Sequence, residues 1–541
     1  MTETRQRLLT FVFFAGILAW FLLSRLGFSP VPWPDGPSFY LAGVDWIHVP
    51  SHYRMQNMVD FVPSYGLANF NTMPALPFIF GMGEQLGISK LIGATLGIRL
   101  ISLIPLMAFA WLIWNWLRPR VSLYAAAFVA AAALFDPVCR WGTQVVRPET
   151  WIGTIWLLIV IVLAKAEEKP LSSKALWKIS GLLALSACCH FEAVILVPAV
   201  VVGLCSGIFD SSEGFKSAVT RIFTVGFRTV LWLSPWLIYV ALHFSSFKDQ
   251  MQIQFGRLAH DDLMQFSMYQ IFHGLFHSHG SPAGWPKFFN IAKGIFWFLS
   301  IALTLHTFLF KRSALRFAAA TAYATSLYLY FTKPEVWFIT LCHLTLWPWL
   351  MLTIAERPRL FFRTWMWITA AFAVLALGAT VGQQRDIPKE YTWKNYTVWT
   401  DCIEKVIGGG SKKIWQPYLP DVLVELSHRN PKFELTRAMD FRELGDLTWE
   451  FSKRLDVIVL SGHLRDLHGE YSGPERASDR EWMKNGVEIP YGNWALDRFP
   501  KEQPGEWENH ICQNGPFWAG VLLRVRPHQL VPNPSVGTPH G

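Results

Sequence analysis

The feature that most constrains this chain is a succession of apolar stretches of near-uniform length, each bounded by polar or basic links. About 20 apolar residues of helix cross the hydrocarbon of a bilayer, and only helices or closed barrels satisfy their backbone groups there. Such stretches fall at roughly 8–28, 91–117, 121–139, 150–165, 178–190, 192–208, 223–243, 288–311, 314–331, 336–355 and 364–382. Residues 1–383 therefore read as a polytopic α-helical membrane domain of about eleven spans. The first run is too long for a secretory signal and has no small-residue cleavage site before Pro30. Charge marks the same division. Residues 1–383 hold 28 Lys and Arg against 17 Asp and Glu, whereas residues 384–541 hold 20 against 22. Only 16% of the 541 residues are charged, where a soluble chain carries about a quarter. A single soluble enzyme is excluded. So is a nucleic-acid binder, because the positive excess lies in short links between apolar runs.

The stretch 178–208 fits either one long tilted helix or two short ones broken at His190-Phe191-Glu192. Cytoplasmic links are rich in Lys and Arg. With the break, the basic links at Arg5/Arg7, Arg118/Arg120, Lys165 to Lys178, Lys216/Arg221, Lys311 to Arg316 and Arg357 to Arg363 all fall on one side. Without it, every later link changes side. The expectation is an N-terminus inside and a C-terminus outside. The outer face then carries loops 29–90 and 244–287, a short link at 140–149 and the whole C-terminal part. Loop 29–90 holds apolar runs such as Met73 to Phe80, which suit helices lying in the interface. Loop 244–287 reads as a flexible segment that contacts substrate.

Acids in or beside spans are costly, so each is a functional candidate. On this topology eleven of the 17 face outward: Asp35, Asp45, Asp60, Glu84, Asp136, Glu149, Glu192, Asp249, Asp261, Asp262 and Glu335. Asp35 lies just beyond the first span, between stiffening prolines and next to Gly36. A carboxylate held there suits a general base or a cation ligand, and equally a turn or a helix cap. Arg147-Pro148-Glu149 opens the fourth span. Proline and an acid at a helix start are favoured by geometry and dipole alone. A second carboxylate near Asp35 would also complete a pair, and Arg147 would grip phosphate with its bidentate fork. His190 and Glu192 are either a polar hairpin tip or part of the same cavity. Lys333-Pro334-Glu335 is a weaker case of the same kind. His343 and Trp347, four apart on one helix face, read as a buried hydrogen-bonded histidine and its neighbour rather than a catalyst. His260-Asp261-Asp262 and His273, His277, His279 match no zinc-ligand spacing. No phosphate loop, dinucleotide fingerprint or serine elbow stands in a supporting context.

This layout resembles the GT-C glycosyltransferases, polytopic enzymes that take sugar from a polyprenyl-phosphate carrier. Protein O-mannosyltransferases and the lipid A aminoarabinose transferase are among them. The resemblance covers about residues 8–383. It rests on Asp35 followed by Phe39-Tyr40, on Arg147-Pro148-Glu149, on the polar tip His190-Phe191-Glu192, and on Lys333-Pro334-Glu335-Val336-Trp337. It implies a GT-C-like fold and transfer of a sugar, at the outer face, to a lipid, glycan or protein acceptor. It further implies Asp35 as general base and Glu149 as its assistant. Arg147 would meet phosphate, with Tyr40, His190, Glu192, Lys333 and Glu335 around the substrate. A divalent cation, Mg²⁺ or Mn²⁺, stays open, because residue 36 is Gly where many relatives have a second acid. The other readings are a secondary transporter or a non-catalytic anchor. Transporters show internal repeats and interrupted helices with polar centres, and no clear repeat is visible here.

Residues 384–530 read as a small extracytoplasmic α/β domain with a mostly parallel sheet. Strand-like runs at 413–416, 433–436 and 456–460 alternate with helix-like runs at 419–428 and 442–453. A closing strand runs from Phe517 to Arg526, and 531–541 read as a disordered tail. Gly408-Gly409-Gly410-Ser411 reads as a helix stop or loop. Of seven cysteines only Cys402 and Cys512 fall in this domain, and an oxidising compartment would allow them to pair. The setting implied is a bacterial inner membrane.

Overall fold

The computed structural model describes residues 35–49, 53–54, 67–70, 72–166, 171–205, 214–260, 287–310, 313–332, 336–355, 360–386, 389–390, 392–416, 422–436, 454–464, 487–488, 507–515 and 517–525, with Gly16. The chain divides into two compact units, and the main changeover falls between Lys389 and Glu390.

The first unit is helical. Its helices are α1 (Asp35–His48), α2 (Ala75–Gln85), α3 (Ile88–Ile92), α4 (Ala94–Leu117), α5 (Leu123–Phe135), α6 (Pro137–Gln144), α7 (Glu149–Ala166), α8 (Ser173–Cys189), α9 (Leu196–Leu204), α10 (Phe215–Leu242), α11 (Phe244–His260), α12 (Lys287–Phe310), α13 (Ala314–Thr332), α14 (Val336–Ala355) and α15 (Leu360–Asp386). Among the described residues four helices are long and apolar enough to cross a membrane, or five if the bent pair α5–α6 is one span. Eleven spans are thus not reached among the described residues. The predicted first span, 8–28, lies outside the described residues. The region 173–204 is cut into short pieces at His190.

That break is where the sequence placed it. His190 takes an extended conformation with φ −165° and ψ 151°, and ends α8. A single 3₁₀ turn over Phe191–Ile195 leads into α9.

At Asp136 the expectation is overturned. The sequence reading ended a span at residue 139 and placed 140–149 in a short outer link. The chain instead continues as α6, which is buried along its whole length and bent by 47° from α5. Pro137 has no N–H to extend α5, and the Asp136 carboxylate caps α6 by accepting from Val138 N at 3.0 Å.

Loop 29–90 contains α1 and α2, which cross where two glycines meet. A Cβ on Gly43 would stand 1.9 Å from the Pro77 carbonyl oxygen, and one on Gly81 would stand 2.4 Å from the Gly43 carbonyl oxygen. Only glycine permits this approach. The first part of segment 244–287 is α11. Gln250 on that helix accepts from Phe70 N at 2.8 Å and donates to Ala68 O at 2.7 Å, tying residues 68–70 to it. Tyr53, beside this segment, is buried, and burial pushes its phenol up.

The second unit is α/β, with α16 (Trp393–Ile407), α17 (Leu423–Arg429) and strands β1 (Lys413–Trp415), β2 (Glu434–Thr436), β3 (Val457–Leu464), β4 (Val487–Glu488), β5 (Trp507–Asn514) and β6 (Phe517–Arg524). The sheet runs β2-β1-β3-β6-β5, with β4 on β3. It is mixed rather than mostly parallel. β1 pairs in parallel with β2 and β3, as the β-α-β rhythm predicts, but β3–β4, β3–β6 and β5–β6 are antiparallel. A tight β5–β6 hairpin cannot supply the long crossover that parallel pairing needs. α16 lies on this hairpin, with Trp399 stacked on Phe517 and its Nε1 donating to the Cys512 carbonyl at 3.2 Å. Gly408, at φ 75°, ends α16. Predicted helix 442–453 and tail 531–541 lie outside the described residues.

Candidate active site

Two of the predicted site residues, Arg147 and Glu149, meet at the turn between α6 and α7. α6 closes with Val145 N donating to Trp141 O at 3.1 Å and Arg147 N donating to Gly142 O at 2.9 Å. Between them Val146 has φ 63° and is buried. A β-branched residue with positive φ is an outlier that persists only where its surroundings hold it. Pro148 then starts α7, and both Trp151 N and Ile152 N donate to its carbonyl.

The strained turn aims Arg147 back at Glu149. Arg147 Nη2 stands 2.7 Å from Glu149 Oε1, and Nε donates to both carboxylate oxygens, at 3.2 and 3.3 Å. Glu149 is fully buried, and the Arg147 side chain is 13% exposed. Glu149 is also the first residue of α7, where the helix dipole favours negative charge.

His190 and Glu192 belong to the same cluster. The Arg147 charge acts on the His190 ring. His190 Nδ1 stands 3.4 Å from Glu192 N and 3.5 Å from Glu192 Oε1. Nδ1 accepts the Glu192 backbone N–H. Both side chains are nearly buried, at 12% and 7% exposure.

Asp35 is the first residue of α1. Its neighbour Gly36 fixes the position of that helix end. A Cβ on Gly36 would stand 3.0 Å from Ile98 Cδ1 and 3.8 Å from Val146 Cγ2. The backbone at residues 35–36 therefore adjoins the Val146–Glu149 turn. The Asp35 side chain lies outside the described residues. Tyr40, one helical turn on, is buried and donates to Glu84 Oε2 at 2.8 Å. It braces α1 against α2. Lys333, Glu335, Asp261, Asp262 and the 273–279 histidines lie outside the described residues. In the second unit Cys402 and Cys512 form a disulfide with Cα atoms 5.7 Å apart, joining α16 to β5.

One polar cluster escaped the sequence reading. Asp136 is buried, and His343 and Trp347 both bind its carboxylate. The i,i+4 spacing of His343 and Trp347 signalled a buried face. Nothing in the sequence signalled its partner.

No family model matches the chain, and no curated protein does. Among solved structures, ArnT from Cupriavidus metallidurans, in the apo state, is similar over 96% of this chain and 98% of its own, with a TM-score of 0.56 and 11% identity. The archaeal oligosaccharyltransferase AglB from Archaeoglobus fulgidus, in complex with an inhibitory peptide and a dolichol-phosphate, matches over 84% of this chain and 69% of its own, with a TM-score of 0.44 and 11% identity. The match to ArnT shows an ArnT-like fold. With its apolar helices, the chain is an integral membrane protein.

Proposed function

We propose that this protein is a glycosyltransferase that moves a sugar from a polyprenyl-phosphate carrier to an acceptor at the outer face of the membrane. The observation that carries the reading is the buried Arg147–Glu149 pair beside the helix end that bears Asp35, in a chain folded like ArnT. ArnT is a lipid A aminoarabinose transferase, and a lipid-linked donor is consistent with that likeness.

Transfer makes a bond from the acceptor oxygen to the sugar's anomeric carbon and breaks the bond from that carbon to the donor phosphate. The acceptor loses a proton, and the lipid phosphate leaves with the bonding pair. In this reading Asp35 takes the proton. In this reading the Arg147 guanidinium meets the leaving phosphate as its charge grows. Glu149 holds the fork in register, and His190 supplies a second polar contact. Glu192 orients His190. Tyr40 acts through Glu84 on the placement of α1 rather than on substrate. Lys333 and Glu335 remain proposed substrate contacts.

A divalent cation does not fit at Glu149, because Arg147 takes both of its oxygens. No step here is routed through a metal. The acceptor is a lipid, glycan or protein, and the donor sugar a hexose or pentose. The Cys402–Cys512 disulfide supports an oxidising compartment for the second unit. That agrees with the sequence-based placement in a bacterial inner membrane with an extracytoplasmic C-terminal domain. Unlike a transporter site at the bilayer midplane, the carboxylates here cluster at helix starts.

The test is transfer of labelled sugar from a panel of polyprenyl-phosphate donors by purified wild type, Asp35→Asn and Glu149→Gln. Transfer by wild type with loss in both variants supports the reading. Equal transfer by wild type and Asp35→Asn removes Asp35 as the base, and no transfer from any donor removes the function.

A further inference from the structure

Asp136 sits at the kink between α5 and α6 with no exposed surface, and four donors converge on it. Oδ1 accepts from Val138 N at 3.0 Å. Oδ2 lies 2.6 Å from His343 Nδ1, 3.3 Å from Trp347 Nε1 and 3.6 Å from Cys139 Sγ. On its far side, His343 Nε2 lies 2.6 Å from Trp297 Nε1. Lys293 and Arg140 both interact electrostatically with the same carboxylate. The cluster is assembled from spaced pairs. Lys293 and Trp297 lie four apart on α12, and His343 and Trp347 lie four apart on α14, so each helix presents one face to Asp136.

Asp136, Cys139 and His343 bring one possible ligand atom each within 4.8 Å of one another, the outline of a metal site. The donor chemistry argues otherwise. An indole N–H only donates, so Trp297 makes His343 Nε2 the acceptor. The imidazole proton is then on Nδ1, where it points at Asp136 and occupies the position a metal would need.

The group acts instead on α6. α14 grips that helix at three points: His343 on Asp136, Thr340 Oγ1 donating to Val138 O at 3.2 Å, and the Thr340 methyl against Gly142, where a Cβ would stand 2.7 Å away. α6 ends in the strained Val146 and delivers Arg147 to Glu149.

We propose that Asp136 and His343, with the tautomer set by Trp297, are positioning residues that clamp α6 and hold Arg147 in its phosphate-facing register, without a bound metal. The link to phosphate rests on the function proposed above. The clamp itself does not.

The experiment uses the full chain in lipid nanodiscs, as wild type, Asp136→Asn, His343→Gln and Trp297→Phe. Amide hydrogen exchange at 145–149 reads the clamp directly. Faster exchange in all three variants, smallest in Trp297→Phe, is expected. Unchanged exchange overturns the proposal. If the first two fail to fold, Trp297→Phe decides, since it keeps an aromatic ring and loses only the N–H donor. Elemental analysis of wild type is expected to find no bound metal, and a stoichiometric metal lost in His343→Gln overturns the proposal. Binding of undecaprenyl phosphate then reads the consequence. Asp136→Asn should weaken it by about tenfold or more, and should add nothing once Arg147→Lys is present, because both act through one group. Full additivity would mark a merely structural role and overturn the positioning claim. If wild type binds no lipid phosphate, the proposed function falls, while the exchange measurement still decides the clamp.

Discussion

Replacing Gly43 with alanine tests how the helices that frame the candidate site are held. The new Cβ would stand 1.9 Å from the Pro77 carbonyl oxygen, and that oxygen is backbone, so no side chain can move aside. Ordinary contact begins near 3.4 Å, so α1 and α2 must separate locally by about 1.5 Å. Tyr40 and Glu84, on these two helices, are joined by a 2.8 Å bond that would stretch beyond hydrogen-bonding range. Overpacking costs about 1–3 kcal/mol. Leaving a buried phenol without its acceptor costs about 1–3 kcal/mol more. The expected loss is therefore about 2–6 kcal/mol, measured as a melting-temperature drop of the detergent-purified protein by intrinsic fluorescence. Gly81→Ala acts on the same crossing, since its Cβ would stand 2.4 Å from the Gly43 carbonyl oxygen. Once one alanine has opened the crossing, the second should cost little. Gly409→Ala serves as the control, because nothing lies within 4 Å of its Cβ. If Gly43→Ala melts with wild type, or if the two losses add in full, the two helices do not cross as described.

Arg147→Lys keeps the charge but loses the planar fork, and should lower sugar transfer by about 10²-fold with folding intact, measured by initial rates. Breaking the disulfide with Cys402→Ser opens a link spanning 110 residues and should cost the second unit about 4–5 kcal/mol, read as earlier proteolysis of the 390–525 region. Thiol reductant should reproduce that effect in wild type and leave the variant unchanged. Gly142→Ala drives a Cβ to 2.7 Å from the Thr340 methyl and should destabilise by about 1–3 kcal/mol, read as a lowered melting temperature.

Part of the site was legible because it is local. Arg147-Pro148-Glu149 is a helix start on chemistry alone, and the structure closes its ion pair within three residues. The His190 break was legible from charge asymmetry, since a polar tripeptide inside an apolar run rearranges every later basic link. In the second unit the three parallel strands showed as short apolar runs. β5 did not show, because it is an edge strand of the sheet and buries only Trp507 and Cys512 along a polar sequence. The Asp136 kink was misread because an acid and a proline after an apolar run look the same at a membrane surface as at a buried bend.

The sequence by itself determined that this chain enters a membrane, where its charge changes, which helices break and which short motifs carry opposite charges together. Those properties depend on apolar length, on proline and on neighbours within a few residues. Only the tertiary structure decided which distant groups meet. His343 reaches Asp136 across 207 residues, Gln250 reaches Phe70 across 180, and Gly43 meets Gly81 through backbone alone. Each contact depends on how helices cross. Many sequences with the same hydrophobic pattern cross differently, because lipid solvates every apolar face alike and close packing and buried polar pairs must select the partner.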